Sequence, residues 1–381
     1  MTREPRSTAD QACPFAGESP FAESAAVREV AAAVRAGERL DREQAALLYA
    51  QAGLFRLGEL AHAVRLARRP ADLVTYVVDR NINYSNICVC GCRFCAFFRP
   101  PGHPEGYVLA RTELAAKLEE TVALGGRQVL LQGGHHPELR LSFYEDMLRF
   151  IKGYRLHIHA FSPPEIVFFS QQENLSVAEV LTRLRAAGLD SIPGGGAEIL
   201  VDAVRERISP RKCPAHAWLG VMETAHRLGL RTTATMMFGH VETPAQRLEH
   251  LFALRDVQDR TGGFTAFIPW TFQPANTALD LPTETSVAYL RLLALSRLVL
   301  DNIDNIQASW VTMGPKVAQL ALFFGANDFG STMIEENVVA AAGVRFGLSE
   351  ADMRRVIEAA GFVPCRRTMD YRPVEAHEDR C

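Results

Sequence analysis

Ile82-Asn-Tyr-Ser-Asn-Ile-Cys88-Val-Cys-Gly-Cys92-Arg-Phe-Cys95 runs from a β-like segment into a loop with four cysteines in eight residues. Cys88, Cys92 and Cys95 are spaced x3 then x2, so three thiolates of one short loop can hold three corners of a cubic [4Fe–4S] cluster. A cluster that only passes electrons takes four thiolates. Three leave one iron open, as three protein ligands leave a position for water or substrate on catalytic zinc. Cys90 would complete a four-thiolate set, but it would need a distorted loop to join Cys88 and Cys92, so Cys90 reads as a non-ligand. A zinc knuckle and plain buried thiols are the alternatives for the whole loop.

The cysteine segment is the first of eight β-like runs, at 82–88, 128–133, 156–162, 189–193, 231–238, 264–271, 303–310 and, more weakly, 326–330. Amphipathic helices separate them, with Leu114, Leu118 and Val122 or Leu248, Leu251 and Phe252 as apolar stripes and Thr243-Pro244 as a helix start. Eight βα units predict an α/β fold, a (β/α)8 TIM-type barrel over 75–343. Before it, residues 25–74 read as a helical extension with Val27, Val30 and Val34 on one face and Asp41 as an N-cap. Residues 1–24, rich in Pro, Ser, Ala and Glu without periodicity, read as a disordered leader. Residues 344–381 read as a C-terminal helix and tail.

With 381 residues, 48% hydrophobic and 22% charged, the chain can bury a large core. A formal charge of −3 gives no basic footprint for nucleic acid or an anionic membrane. No run approaches the roughly 20 apolar residues of a membrane span, and the first residues lack a secretory signal. Eight cysteines, half of them in one loop, do not resemble a disulfide framework. A cytoplasmic protein is expected.

Barrel active sites form at the C-terminal ends of the strands. Those ends carry Gln132-Gly-Gly-His-His-Pro137, His159-Ala-Phe-Ser-Pro-Pro-Glu165, Pro193-Gly-Gly-Gly-Ala-Glu198, Gly239-His240 and Trp270-Thr-Phe-Gln-Pro-Ala-Asn276. Gly133 and Gly134 permit close backbone approach to a ligand, or simply a tight turn. Glu198 suits a ribose or ammonium group, and equally the first turn of a helix. His135, His136, His157 and His159 lie at or near strand ends, where an imidazole can take a proton or merely hold a loop. Arg99, Glu165, Gln273, Asn276 and Asp328 suit a polar substrate or ordinary loop capping. Phe94 covers a cluster or packs in the core.

The cysteine spacing, with an aromatic before the last cysteine, resembles the radical SAM superfamily. The runs Thr75–Asn86, Cys95–Gly102, Gln132–Pro137, His159–Glu165, Thr233–Thr243 and Gln307–Thr312 are similar to the cyclic dehypoxanthinyl futalosine synthase family of the futalosine menaquinone pathway, over about residues 35 to 372. The resemblance implies an oxidoreductase that uses a [4Fe–4S] cluster on Cys88, Cys92 and Cys95 and S-adenosylmethionine. It implies Gly133-Gly134 and Glu198 near that cosubstrate, with Tyr84 and Phe94 as further cofactor contacts. A 5′-deoxyadenosyl radical would take hydrogen from C4′ of dehypoxanthine futalosine, and the carbon radical would add to the benzoate ring, which then loses an electron and a proton. An unidentified electron donor is implied. His135, His136, His159 and Glu165 are the candidates for the base, and Arg99, Gln273, Asn276 and Asp328 for substrate contacts. An aminofutalosine synthase or a deazaflavin-forming enzyme would share the loop and barrel; a zinc-stabilised binding module would share only the loop.

Overall fold

The structure, a computed structural model, describes residues 23–68 and 72–374. Nearly all of the expected leader and residues 375–381 of the expected tail lie outside the described residues. The helical extension comprises α1 (Ala25–Arg35), α2 (Arg42–Gln51) and α3 (Leu54–Arg68). Asp41 caps α2 as expected: its carboxylate accepts the Gln44 N–H, and Gln44 accepts the Asp41 N–H in return. Two donors that a helix start leaves open are thereby satisfied. Val27, Val30, Val34 and Leu48 are buried.

β1 (Leu73–Val77) and β2 (Asp79–Asn83) are two halves of one extended stretch. From β2 an all-parallel sheet continues in chain order through β3 (Gln128–Gln132), β4 (His157–Ala160), β5 (Ser191–Ile192), β6 (Arg231–Phe238), β7 (Phe264–Thr271) and β8 (Asn305–Ile306). Parallel neighbours need crossovers, and helices supply them. These are α4 (Arg111–Ala123), α5 (Leu141–Lys152), α6 (Pro163–Glu173), α7 (Val177–Ala187), α8 (Asp202–Ile208), α9 (Ala215–Arg227), α10 (Pro244–Thr261), α11 (Ser286–Val299) and, after β8, α12 (Trp310–Ala321). β9 (Asp328–Ser331) pairs with β1 and meets Gln307, just past β8, through a bridge at Asp328. The curled sheet is thus joined back to its own beginning, and the fold is the expected α/β, TIM-type barrel.

The first strand is shifted from its expected position. It ends at Asn83, and the apolar-looking stretch up to Cys88 is already exit loop, tied down by bridges of Ser85 to Val108 and Ile87 to Arg99. Val122, expected in a core stripe, is 46% exposed. The C-terminal segment is more than a helix and tail. After α13 (Val338–Ala341) and α14 (Glu350–Ala359), β10 (Val363–Arg366) pairs in parallel with β1, and the residues after it plug the base of the barrel. There Arg367 forms a buried ion pair with Asp328 at 2.5 Å, and Thr75 also donates to Asp328. Ser331 and Gln128 donate to Asp79, and Met369 lies against Gln128.

Register explains which side chains face inward. Cross-strand neighbours share a face, and residues two apart on a strand share it too. Asp79, Gln128 and His157 form one layer; Asn81, Leu130, His159 and Ser191 form the next; Asn83 and Gln132 lie nearest the exit loops. Ile82, Val129, Leu131 and Ile158 point the other way and are fully buried against helices. Each contributes roughly 1.5–3 kcal/mol by leaving water.

Candidate active site

Two exit loops, from β2 and β3, pack against each other at the C-terminal end of the barrel. The Gly134 N–H donates to the Ser85 carbonyl and the Val89 N–H to the His135 carbonyl, so the loops run side by side like short strands. The glycines are required by that contact. A Cβ on Gly133 would stand 2.3 Å from the Tyr84 ring, and one on Gly134 would stand 2.1 Å from the Ile87 carbonyl oxygen. Glu165 supports the junction from below. Its carboxylate accepts from Tyr84 Oη at 2.6 Å, the Gly133 N–H at 3.2 Å, and the Ser162 N–H and Oγ at 2.7 and 2.6 Å.

The cysteine loop is held open toward Lys212. The Cys88 sulfur accepts the N–H groups of Cys90 at 3.4 Å and His135 at 3.3 Å. Hydrogen bonding from the Cys90 thiol, then those N–H groups and the Lys212 charge, bring the Cys88 thiol down to about 6 against the opposing effect of burial. Cys92 is lowered by the same Cys90 thiol and by Lys212, while burial raises Cys95. Cys90 keeps its proton, because it sits between Cys88 and Cys92 as their donor, and its sulfur lies 3.0 Å from His135 Nδ1. Lys212 Nζ is 2.7 Å from Glu198 Oε1 and 5.0 Å from the Phe94 ring centroid. Burial disfavours that cation, but Cys92 and Glu198 raise its pKa; Lys212 and Arg205 in turn hold Glu198 below the usual carboxylate range despite burial.

Among the described residues no three His, Cys, Asp or Glu side chains converge on one metal-ion position. A structural zinc would need four ligands within about 2.3 Å of one point. A cubic cluster differs in this respect, because each thiolate binds a separate iron. Free thiols on one loop, N–H donors to sulfur and a neighbouring cation match that donor chemistry.

Several expected contacts are placed elsewhere. Tyr84 is buried under Gly133, its ring edge-on to Tyr144 and Phe161, where it supports the glycine loop. Arg99 is spent on the cysteine loop itself, donating to the carbonyls of Ala96, Phe97 and Phe98 and pairing with Glu105. Gln273 donates back to Thr271, and Asn276, at φ 61°, donates to the Ala341 carbonyl as a turn residue. Asp328 belongs to the base, at the opposite end of the strands from the cysteines. His136 Nδ1 accepts the Glu138 N–H, and burial lowers its pKa. His135, pressed to about 3 by burial and Lys212, stacks near Phe168. Glu165 is raised by burial while its four donors lower it. His159 bonds Ser191, one layer below Asn83 and Gln132. Lys212 was missed in the sequence because it lies between α8 and α9, in a segment without pattern.

The radical SAM superfamily model matches residues 82–254. Fold and loop therefore define a radical SAM enzyme, whose cofactors are a [4Fe–4S] cluster and S-adenosylmethionine. Residues 261–380 match the CofH/MqnC C-terminal region. The chain is 45% identical over 347 residues to cyclic dehypoxanthine futalosine synthase of Halalkalibacterium halodurans, covering 90% of this chain and 94% of that protein. It belongs to the family of the cyclic dehypoxanthine futalosine synthases. It is also 41% identical, over 89% of this chain and 95% of the relative, to 5-amino-6-(D-ribitylamino)uracil–L-tyrosine 4-hydroxyphenyl transferase of Methanothermobacter thermautotrophicus. Methylornithine synthase shares the fold, with a TM-score of 0.67 at 18% identity over 88% of this chain and 97% of that one.

Proposed function

We propose that this enzyme cyclises dehypoxanthine futalosine to cyclic dehypoxanthine futalosine in menaquinone biosynthesis. The observation that carries the reading is the 45% identity spanning 94% of a relative named for that reaction. When bound, the cluster and S-adenosylmethionine would supply a 5′-deoxyadenosyl radical that takes hydrogen from C4′, and an acceptor for the electron released after the ring closes. The protein's share is positioning and exclusion of water. Cys88, Cys92 and Cys95 would hold the cluster, Lys212 would offset the thiolate charge, and Glu165 would keep Gly133 and Gly134 beside it.

The barrel interior suits a polar, elongated substrate. Leu130 and Gln132 on β3, and Ile268 and Trp270 on β7, are partly accessible while their outward neighbours Val129 and Leu131 are fully buried. Asn81 is buried in the same wall, and its Oδ1 has no hydrogen-bond partner among the described residues. An orphaned acceptor costs about 1–3 kcal/mol unless a donor arrives, and a ribose hydroxyl is such a donor. No helix among the described residues is long and apolar enough to cross a membrane. An electron donor is required to reduce the cluster.

The transferase relatives favour a second reading, a radical reaction joining an aromatic ring to another partner. Protein reconstituted anaerobically with iron and sulfide is assayed for 5′-deoxyadenosine and cyclised product with dehypoxanthine futalosine, or with tyrosine and the ribitylaminouracil. Product with the first substrate is expected. Product only with the second pair would replace the reading.

A further inference from the structure

Two buried histidines on one strand face share a single serine. His157 and His159 are two apart on β4 and so project to the same side, and the β4–β5 pairing sets His159 beside Ser191. Ser191 Oγ lies 2.7 Å from His159 Nδ1 and 2.7 Å from His157 Nε2. A hydroxyl can accept one bond and donate another, so the three groups can form a head-to-tail row in either sense; in one of them His159 Nδ1–H donates to Ser191 Oγ, and Ser191 O–H to His157 Nε2. That order leaves a lone pair on His159 Nε2, a nitrogen with no bonding partner among the described residues. It belongs to the same layer as Leu130 and Asn81, on the inner wall. At the other end, His157 is half-buried at the start of β4, facing Asp190 and Asp370 with Lys152 nearby.

We propose that His159 accepts the proton lost from the substrate ring as the cyclised product regains aromaticity, and that Ser191 and His157 relay it out through the base of the barrel. The proposal rests on the cyclisation reading above. The ring C–H bond breaks, its electron pair stays in the ring, and its proton bonds to His159 Nε2. The Nδ1 proton of His159 passes to Ser191 Oγ, the hydroxyl proton passes to His157 Nε2, and His157 releases its Nδ1 proton to solvent. When bound, an oxidised iron–sulfur cluster would be the acceptor for the one surplus electron of the ring radical. After product departs, exchange through the open mouth resets the row.

A relay is needed because a charge cannot rest on His159. Burial, His157 and Arg367 all push its pKa well below the ordinary value. Burial also lowers His157, but Asp190 and Asp370 favour its cation. Of the other candidates, Glu165 is held by four donors, and His135 and His136 engage Nδ1 with Cys90 and the Glu138 N–H; His135 Nε2 also lacks a partner among the described residues, but His159 differs in having a hydroxyl and a second histidine behind it.

Two measurements test the proposal. In protein carrying 15N-histidine and no cofactor, nitrogen shifts report each tautomer; His159 is expected neutral with its proton on Nδ1, and Ser191→Ala is expected to release that preference. An Nε2–H tautomer at His159 in the unmodified protein would overturn the row. In reconstituted enzyme, cyclised product is divided by 5′-deoxyadenosine formed. His159→Gln is expected to keep substrate-dependent deoxyadenosine while that ratio falls about 100-fold, the scale of a positioned acid–base group. Ser191→Ala and His157→Gln are expected to lower the ratio about tenfold. A ratio unchanged in Ser191→Ala and His157→Gln would overturn the relay, and Ser191→Ala keeps the test open if His159→Gln fails to fold. Absence of cyclised product from the unmodified enzyme would instead sink the cyclisation reading, with the tautomer result still standing.

Discussion

A methyl group on Gly134 has no room beside the Ile87 carbonyl, and the backbone it would displace carries Cys88. Gly134→Ala is therefore expected to fold yet to lose most of its iron and sulfide after reconstitution, measured per chain. Gly220→Ala is the control, because a Cβ there on α9 meets nothing within 4 Å and the change gains roughly 0.5–1 kcal/mol of helix propensity. Equal cluster content in both would show that the loop contact is not needed. Sequence spacing alone singled out the three thiols and the two glycines, which the structure brings onto two adjoining loops. It did not show what the glycines avoid, because Tyr84 and Ile87 approach them only through a neighbouring strand. Lys212 was invisible for the same reason: its partners Glu198 and Cys92 come from two other exit loops.

Among elements, strand content was legible in the long runs rich in β-branched and apolar residues. β6 and β7 occupy 231–238 and 264–271 as expected, whereas β2 was placed too late because Asp79, Asn81 and Asn83 give its inner face a loop-like composition. β10 has four residues and no alternation, so its role at the base could not be read. That role is testable through Arg367 and Asp328, 3% and 0% exposed in their side chains. Asp328→Asn or Arg367→Met alone leaves a buried charge uncompensated and should cost about 3–5 kcal/mol. The double variant should cost much less than the sum, and additive losses in urea unfolding would deny the coupling. The turn from β6 into α10 gives a pH signature. Burial would raise Glu242, but His240, Arg247 at 2.7 Å and the Gly239 N–H hold it down to about 2 from 4.5. A depressed carboxylate stabilises fully above its unfolded value and loses that contribution as pH falls through its folded value. About 3 kcal/mol should therefore disappear between pH 4.5 and 2. Glu242→Gln should be less stable at pH 7 and flatter across that window, and a parallel acid limb would exclude the assignment.

For the whole molecule, the pairing between strands is uneven, and its distribution matches what radical chemistry demands. β2 and β3 share five paired positions, β3 and β4 four, and β6 and β7 seven, whereas β4 meets β5 at one and β7 meets β8 at two. The cysteine loop and Gly133-Gly134 thus leave the well-paired side, which suits a cofactor whose radical must stay within contact distance of one C–H bond. The seam from β8 to β9 rests on the Gln307–Asp328 bridge and the Asn327 side chain, which accepts from the Ile306 N–H. Local opening follows the density of such contacts, so hydrogen exchange should rank the barrel by seam. Amides of 232–238 and 266–271 should exchange at least about tenfold more slowly than those of 191–193 and 305–308, measured by mass spectrometry on the unmodified chain at neutral pH. Arg367→Met should accelerate 305–308 and 328–331 first, because Asp328 bonds both Arg367 and the bridge, while leaving β6 and β7 protected. Uniform protection around the barrel would instead mean that the buried polar base, with Arg367 at its centre, holds every strand equally.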